Sequence, residues 1–164
     1  MKKAFVFDFD DTLATTEAAI LVYGIGGCCT GYILELSPSQ FNEYELKEGE
    51  RFDFSEFRCP QLVEDGKPTE LIKLAKEVYD EDHSVYILTA RSNDMSGAIA
   101  KFLKTQGIEA KQIICVGDKD ETAGIAKDKK KALRMIMMAY DKIYFYDDNK
   151  TNVELAQSIG VKSY

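Results

Sequence analysis

The sequence is poor in the residues that several common chemistries require. It has one histidine, His83, standing ahead of the apolar run Ser84 to Leu88. No Ser-His-Asp or Cys-His relay can be built on a single imidazole in that place. Cysteine is sparse as well. Cys28, Cys29, Cys59 and Cys115 form no CxxC pair and no regular framework. That excludes a disulfide scaffold, gives the wrong spacing for zinc, and fits reduced thiols in a cytoplasm. No run approaches the ~20 apolar residues that cross a bilayer. An apolar strand begins at Ala4, so neither a secretory signal nor membrane contact is expected, and the expected location is cytoplasmic. Basic charge is also short, with 21 Lys and Arg against 28 Asp and Glu, a formal net charge of −7. A general nucleic-acid-backbone binder would carry the opposite balance. An enzyme that grips one terminal phosphate is not excluded by it.

What the chain does have is an ordinary globular composition, 45% apolar and 30% charged over 164 residues, which predicts a single domain with a proper core. Its most unusual stretch comes first. Ala4 to Phe7 is β-branched and aromatic, too short for a helix, and reads as a buried strand. It ends in Asp8, Asp10, Asp11 and Thr12. Two unit charges ~4 Å apart repel by about 4 kcal/mol at an effective dielectric near 20. A bound divalent cation would offset that cost; the plainer alternative is a solvated turn.

The segment 14–66 then interrupts any regular pattern. Ala18 to Tyr23 and Tyr32 to Leu36 are strand-like and flank a glycine-rich stretch, which predicts a β-hairpin. No helix start follows those glycines, so a phosphate-cradling loop is disfavoured. Ser37-Pro38-Ser39 opens about one helical turn, and Arg51 to Phe57 alternates polar and aromatic residues. The segment reads as an inserted flap over the carboxylates or as additional core.

From Pro68 the order is regular. Leu71, Leu74, Ala75 and Val78 mark a helix; Ser84 to Leu88 a strand ending in Thr89, Ala90 and Arg91; Ala98, Ile99, Phe102 and Leu103 a helix stopped at Gly107. Gln112 to Val116 is a strand leading to Gly117 and Asp118. Ala132, Leu133, Ile136 and Tyr140 mark a helix, Ile143 to Tyr146 a strand ending in Asp147 and Asp148, and Val153 to Ile159 a last helix closed by Gly160. Such alternation predicts an α/β fold, a mainly parallel central sheet with helices on both faces. Ligands bind such sheets at the carboxyl ends of the strands. Asp8 and Asp10, Thr89, Asp118, and Asp147 and Asp148 all fall there.

Three motifs carry a family resemblance. Phe5-Val-Phe-Asp-Phe-Asp-Asp-Thr-Leu13 resembles the first motif of the haloacid dehalogenase (HAD) superfamily, a strand followed by Asp-x-Asp-x-Thr. Ile87-Leu-Thr-Ala-Arg91 resembles the second, and Tyr144-Phe-Tyr-Asp-Asp-Asn-Lys-Thr-Asn152 the fourth. Asp128-Lys-Lys-Lys-Ala-Leu133 is a softer match to the third, a lysine near a helix start. The resemblance covers Met1 to Thr12 and Pro68 onward, and leaves the insertion uncovered. It implies a three-layer Rossmann-like fold of the small-cap or capless type, and a magnesium-dependent phosphatase.

The roles it implies are definite. Asp8 would be the nucleophile, forming a phospho-aspartate, and Asp10 the general acid and base. Magnesium would sit among Asp8, the Asp10 backbone carbonyl and Asp147, with Asp148 as rival ligand or helix N-cap. Thr89 and Lys129 would hold the transferring phosphoryl oxygens and Arg91 the substrate; Lys127 and Lys130 are substitutes for Lys129. Asn152 would orient the acids, and Asp118 would assist substrate binding or only cap its loop. The expected substrate is a nucleotide or sugar phosphate, or a nucleic-acid 3′-phosphate end, handled by a monomer or weak oligomer. The rival class is a protein that keeps the fold for binding without turnover.

Overall fold

A computed structural model describes residues 3–24, 32–117 and 124–164. In chain order, β1 (Lys3–Phe7) leads into the insertion, which holds β2 (Ala14–Thr15), β3 (Ile20–Gly24), β4 (Tyr32–Leu36), α1 (Pro38–Glu43), β5 (Glu50–Asp53), α2 (Pro60–Glu64) and β6 (Lys67–Pro68). Then follow α3 (Leu71–Asp80), β7 (Ser84–Thr89), α4 (Ser96–Thr105), β8 (Gln112–Cys115), α5 (Ile125–Met137), β9 (Lys142–Tyr146), α6 (Lys150–Gln157) and β10 (Lys162–Ser163).

Five strands form a parallel sheet in the order β10-β9-β1-β7-β8. The connections run outward from β1 in both directions, so β1 is the central strand and the point where the winding reverses. A crevice opens at such a switch point, beyond the carboxyl ends of the strands. The motif that begins at Asp8 therefore sits at the place where the topology itself makes a site.

Period-two alternation along β1 decides which helices each residue meets. Phe5 and Phe7 face the layer of α3 and α4, in a core with Val78, Val85, Ile87, Ile99 and Phe102. They also stack on Tyr144 and Tyr146, their register partners in β9, at ring-centroid distances of 4.9 and 5.0 Å. Ala4 and Val6 face the other layer with Leu88, Leu133, Ile136, Phe145 and Ala156. Asp8 continues the Ala4 and Val6 series, so it leaves the sheet on the α5 side. Asp147 continues the Ile143 and Phe145 series and emerges on the same side. Lys129 lies four residues before Leu133 on α5, one turn closer to the strand ends. Strand period and helix period together bring these three side chains to one point.

The hairpin expected in the insertion is present as β3 and β4, but β5 pairs with the other edge of β3 and makes it a three-stranded antiparallel sheet. The alternating stretch from Arg51 is strand only as far as Asp53, because the Asp53 carboxylate accepts the Ser55 backbone N–H at 2.8 Å and a 3-10 turn, Ser55–Arg58, follows. The turn redirects Phe57. The glycine-rich connection, with Cys28 and Cys29, lies outside the described residues. A short β2–β6 pair, Ala14 against Pro68 and Thr15 against Lys67, joins the two ends of the insertion. The expected turn after Ser37 is α1, fixed by a capping box in which Ser37 and Gln40 satisfy one another's backbone N–H. No helix among the described residues is long and apolar enough to cross a membrane.

Candidate active site

Lys129 organises the strand ends. It is 2% exposed, and its Nζ donates to Asp8 Oδ1 and to Asp147 Oδ2, each at 2.7 Å. Burial opposes its charge, yet the Asp8 and Asp147 carboxylates outweigh that and raise its pKa above the ordinary lysine value. Burial pushes the Asp8 carboxyl well up; Lys129 pulls against it, while Asp147 and Asp10 push it further. Asp147 is held by more than the lysine. Asn152 Nδ2 donates to both its oxygens at 3.0 Å, and the Asn149 N–H donates to Oδ1 at 2.8 Å. These donors fix the carboxylate without neutralising it.

Asp8, Asp147 and Asp148 each offer a carboxylate oxygen, and these atoms lie within 4.8 Å of one another. Three carboxylates against one buried ammonium leave surplus negative charge where β1 and β9 end. The donor set is all oxygen, with neither imidazole nor thiolate, which fits a hard divalent cation. Asp148 is not the helix cap: Asn149 caps α6, its side chain accepting from the Thr151 and Asn152 N–H groups. That leaves the Asp148 carboxylate available beside Asp147. Burial first, then the Asp147 and Asp11 charges, raise its pKa to about 6.

A pH dependence follows. A raised carboxyl pKa means that the fold favours the protonated form, so its contribution is complete below the ordinary value of 3.8 and is lost as pH rises through about 6. In metal-free buffer, Asp148→Asn is expected to melt higher than the parent above pH 6, with the difference closing as pH falls below 4. Melting curves in EDTA at three pH values test this; a variant less stable than the parent at pH 8 contradicts it.

Asp10 is held differently. Arg91 grips it in a two-pronged ion pair, Nε to Oδ2 at 2.9 Å and Nη2 to Oδ1 at 2.7 Å. The fork matches the carboxylate plane, which a lysine could not do. The same guanidinium donates to the Phe57 carbonyl at 2.7 Å and to Thr16 Oγ1 at 3.2 Å, and lies 4.7 Å over the Phe57 ring. Arg91, which the motif reading assigns to the substrate, thus ties Asp10 to the insertion. Thr89 is fully buried; its Oγ1 accepts the Arg91 backbone N–H at 3.2 Å, and it does not line the cleft.

Asp8, Asp10, Arg91, Lys129, Asp147 and Asp148 line one cleft of about 330 Å³. Gly117, where the chain leaves β8, lines it too. A Cβ there would stand 2.0 Å from the Ala90 carbonyl oxygen, so only glycine lets these two loops pass. Asp118, the next residue, lies outside the described residues. The insertion closes the far wall with Phe41, Asn42, Phe54 and Phe57, and Asn149 Nδ2 donates to Asn42 Oδ1 at 2.8 Å. Of the lysine run, Lys129 is the member that reaches the acids; Lys130 points to Ser158 at 3.1 Å. The motifs named the floor of this cleft. The wall and the Arg91 tether carry no local signature, because both depend on how the insertion folds back.

No protein-family model and no curated protein matches the chain. Among solved structures, it is similar to a HAD-family enzyme from Bacteroides thetaiotaomicron in complex with magnesium and inorganic phosphate, at 12% identity and a TM-score of 0.53, covering 100% of this chain and 93% of that one. An aspartate-to-alanine variant of that enzyme, also with magnesium and inorganic phosphate, matches at 14% identity with the same score and coverage. A haloacid dehalogenase-like hydrolase from Streptococcus pneumoniae matches at 15% identity and 0.53, covering 99% of this chain and 83% of that one. The fold is therefore the one those HAD enzymes share, a parallel Rossmann-like sheet with helices on both faces; in this chain an insertion follows the first strand.

Proposed function

We propose that this chain is a magnesium-dependent phosphomonoester hydrolase of the HAD superfamily, working through a phospho-aspartate on Asp8. The observation that carries the reading is the buried Asp8–Lys129–Asp147 triad at the switch point, with Asp10 in the same cleft. The solved structures of the same fold that hold magnesium and phosphate support it.

In this reading an Asp8 oxygen attacks phosphorus as the ester P–O bond breaks, and the leaving oxygen takes a proton from Asp10. Asp10 then removes a proton from water, whose oxygen attacks the same phosphorus and breaks the bond to Asp8, releasing inorganic phosphate. The two-pronged pair with Arg91 suits the second half, in which Asp10 acts as carboxylate. For the first half Arg91 must release one Asp10 oxygen. Because Arg91 also holds Phe57 and Thr16, that exchange is linked to the insertion. Lys129 balances charge on Asp8 and the phosphoryl group, and Thr89 fixes the backbone turn that carries Arg91. Asp8, Asp147, Asp148 and the Asp10 carbonyl would hold magnesium, which supplies electrostatic stabilisation of the phosphoryl oxygens.

The purified protein is expected to hydrolyse p-nitrophenyl phosphate with added Mg²⁺, to lose at least about 100-fold in rate in excess EDTA, and to recover on addition of Mg²⁺. Turnover that EDTA leaves untouched would remove the metal from the proposal.

A further inference from the structure

The floor of the cleft is polar, but the wall that the insertion builds over it is largely aromatic, with Asn42 and Arg58 as its polar residues. Phe41, Phe54 and Phe57 all line the same space as Asp8 and Lys129. Their rings are braced before any ligand arrives. Phe41 meets Phe54 edge to face with centroids 5.4 Å apart, and meets Phe52 at 4.9 Å in the same manner. Phe57 is fixed on one face by the Arg91 guanidinium. At the rim Asn42, also lining the cleft, accepts from Asn149, and its own amide nitrogen makes no hydrogen bond among the described residues.

Accepting the phosphatase reading above, we infer that the leaving group is a nucleoside, and that the substrate is a nucleoside monophosphate rather than a sugar phosphate or a nucleic-acid end. A sugar phosphate that meets Phe41, Phe54 and Phe57 would set hydroxyls against phenyl rings, which cannot replace the hydrogen bonds that water gives them. A flat heteroaromatic base instead stacks on such rings with little loss, and the Asn42 amide can donate to a ring nitrogen or carbonyl at its edge. The volume of about 330 Å³ suits one nucleotide. A polymer needs a row of cations for successive phosphates. Among the described residues the cations lining this cleft are Arg58, Arg91 and Lys129, which form no such row, and Arg91 and Lys129 are held by Asp10, Asp8 and Asp147.

The test is a comparison of kcat/KM for adenosine 5′-monophosphate and its 3′ isomer, glucose 6-phosphate, glycerol phosphate and a 3′-phosphorylated oligonucleotide, all with Mg²⁺. One of the two mononucleotides is expected to exceed both glucose 6-phosphate and glycerol phosphate by about 100-fold or more, and the oligonucleotide by about 10-fold or more. Phe54→Leu, which keeps apolar volume but removes the ring, is expected to cut the ratio of mononucleotide to glycerol phosphate by about 10-fold; Phe41→Leu is the second variant should the first fail to fold. Equal kcat/KM across the panel, a preference for the sugar phosphate or the oligonucleotide, or a ratio unmoved by either ring removal would overturn the inference and leave the phosphatase reading standing. Calorimetric binding of both mononucleotides to Asp8→Asn with Mg²⁺ separates the two claims. Binding weakened about 10-fold by the added Phe54→Leu, in a protein whose parent turns over no ester, supports the base-stacking wall and sinks the phosphatase. No binding of either mononucleotide at millimolar concentration sinks the wall.

Discussion

Asp8→Asn is expected to lower kcat for p-nitrophenyl phosphate by about 10⁴-fold or more, with no loss of thermal stability in metal-free buffer. The first half follows from what the residue does in the proposed chemistry. An amide cannot displace the leaving group, and removal of a covalent nucleophile is among the costliest single changes an enzyme can suffer. The second half follows from where the residue sits. Burial and two neighbouring carboxylates push the Asp8 pKa well up, so its ionised form is held against a cost. An Asn removes that charge, can still accept from Lys129, and leaves Lys129 its bond to Asp147. Steady-state rates and a melting curve in EDTA test both halves on one preparation. A variant that keeps more than a hundredth of the parent rate rules out the nucleophile; one that melts well below the parent shows that the Lys129–Asp8 pair outweighs the carboxylate repulsion.

Lys129→Met acts in the opposite sense on stability. The side chain is buried, and its ammonium is the group that offsets both Asp8 and Asp147. Removing one partner of a buried ion pair costs about 3–5 kcal/mol, because the remaining charges stay desolvated and unpaired. For a domain whose whole stability is about 5–15 kcal/mol this is a large share. The expected result is a fall in melting midpoint of about 10 °C in EDTA. Saturating Mg²⁺ is expected to recover more of the midpoint in the variant than it adds to the parent, since a cation among Asp8, Asp147 and Asp148 replaces the missing charge. A midpoint within about 1 °C of the parent in EDTA would show that the acids are not ionised together in the metal-free protein.

In the proposed chemistry the two variants divide the triad by function: Asp8 is kept for reaction against an electrostatic cost, and Lys129 offsets that cost. The Asn152 and Asn149 contacts to Asp147 extend the same logic. They hold a carboxylate oxygen without spending a second cation on it, which would leave surplus negative charge for the proposed metal.

Much of this site was written into the chain locally. A β-branched and aromatic run that stops at Asp8 is a buried strand with a charge cluster at its end, whatever the rest does. The alternation of apolar runs and helical stripes after Pro68 makes the sheet parallel, and parallel sheets bind at their carboxyl ends. The spacing of Leu133 to Lys129, one helical turn, could be read before any coordinates. Lys127, Lys129 and Lys130 could not be separated from sequence alone, since the choice depends on how α5 is rotated against β1 and β9.

The layer architecture and the residue types at the strand ends are legible along the chain, because strand and helix periods are local properties of it. Long-range packing sets the rest: Arg91 spends its charge on Asp10 and on the insertion, Asp148 joins Asp8 and Asp147 while Asn149 takes the helix cap, and Phe41, Phe54 and Phe57 line one cleft with the acids. Those contacts join residues as far apart as Asp10 and Arg91, or Asn42 and Asn149. No periodicity reaches across such separations: the pairing of β1 with β7 brings Asp10 to Arg91, and the folded insertion brings Asn42 to Asn149.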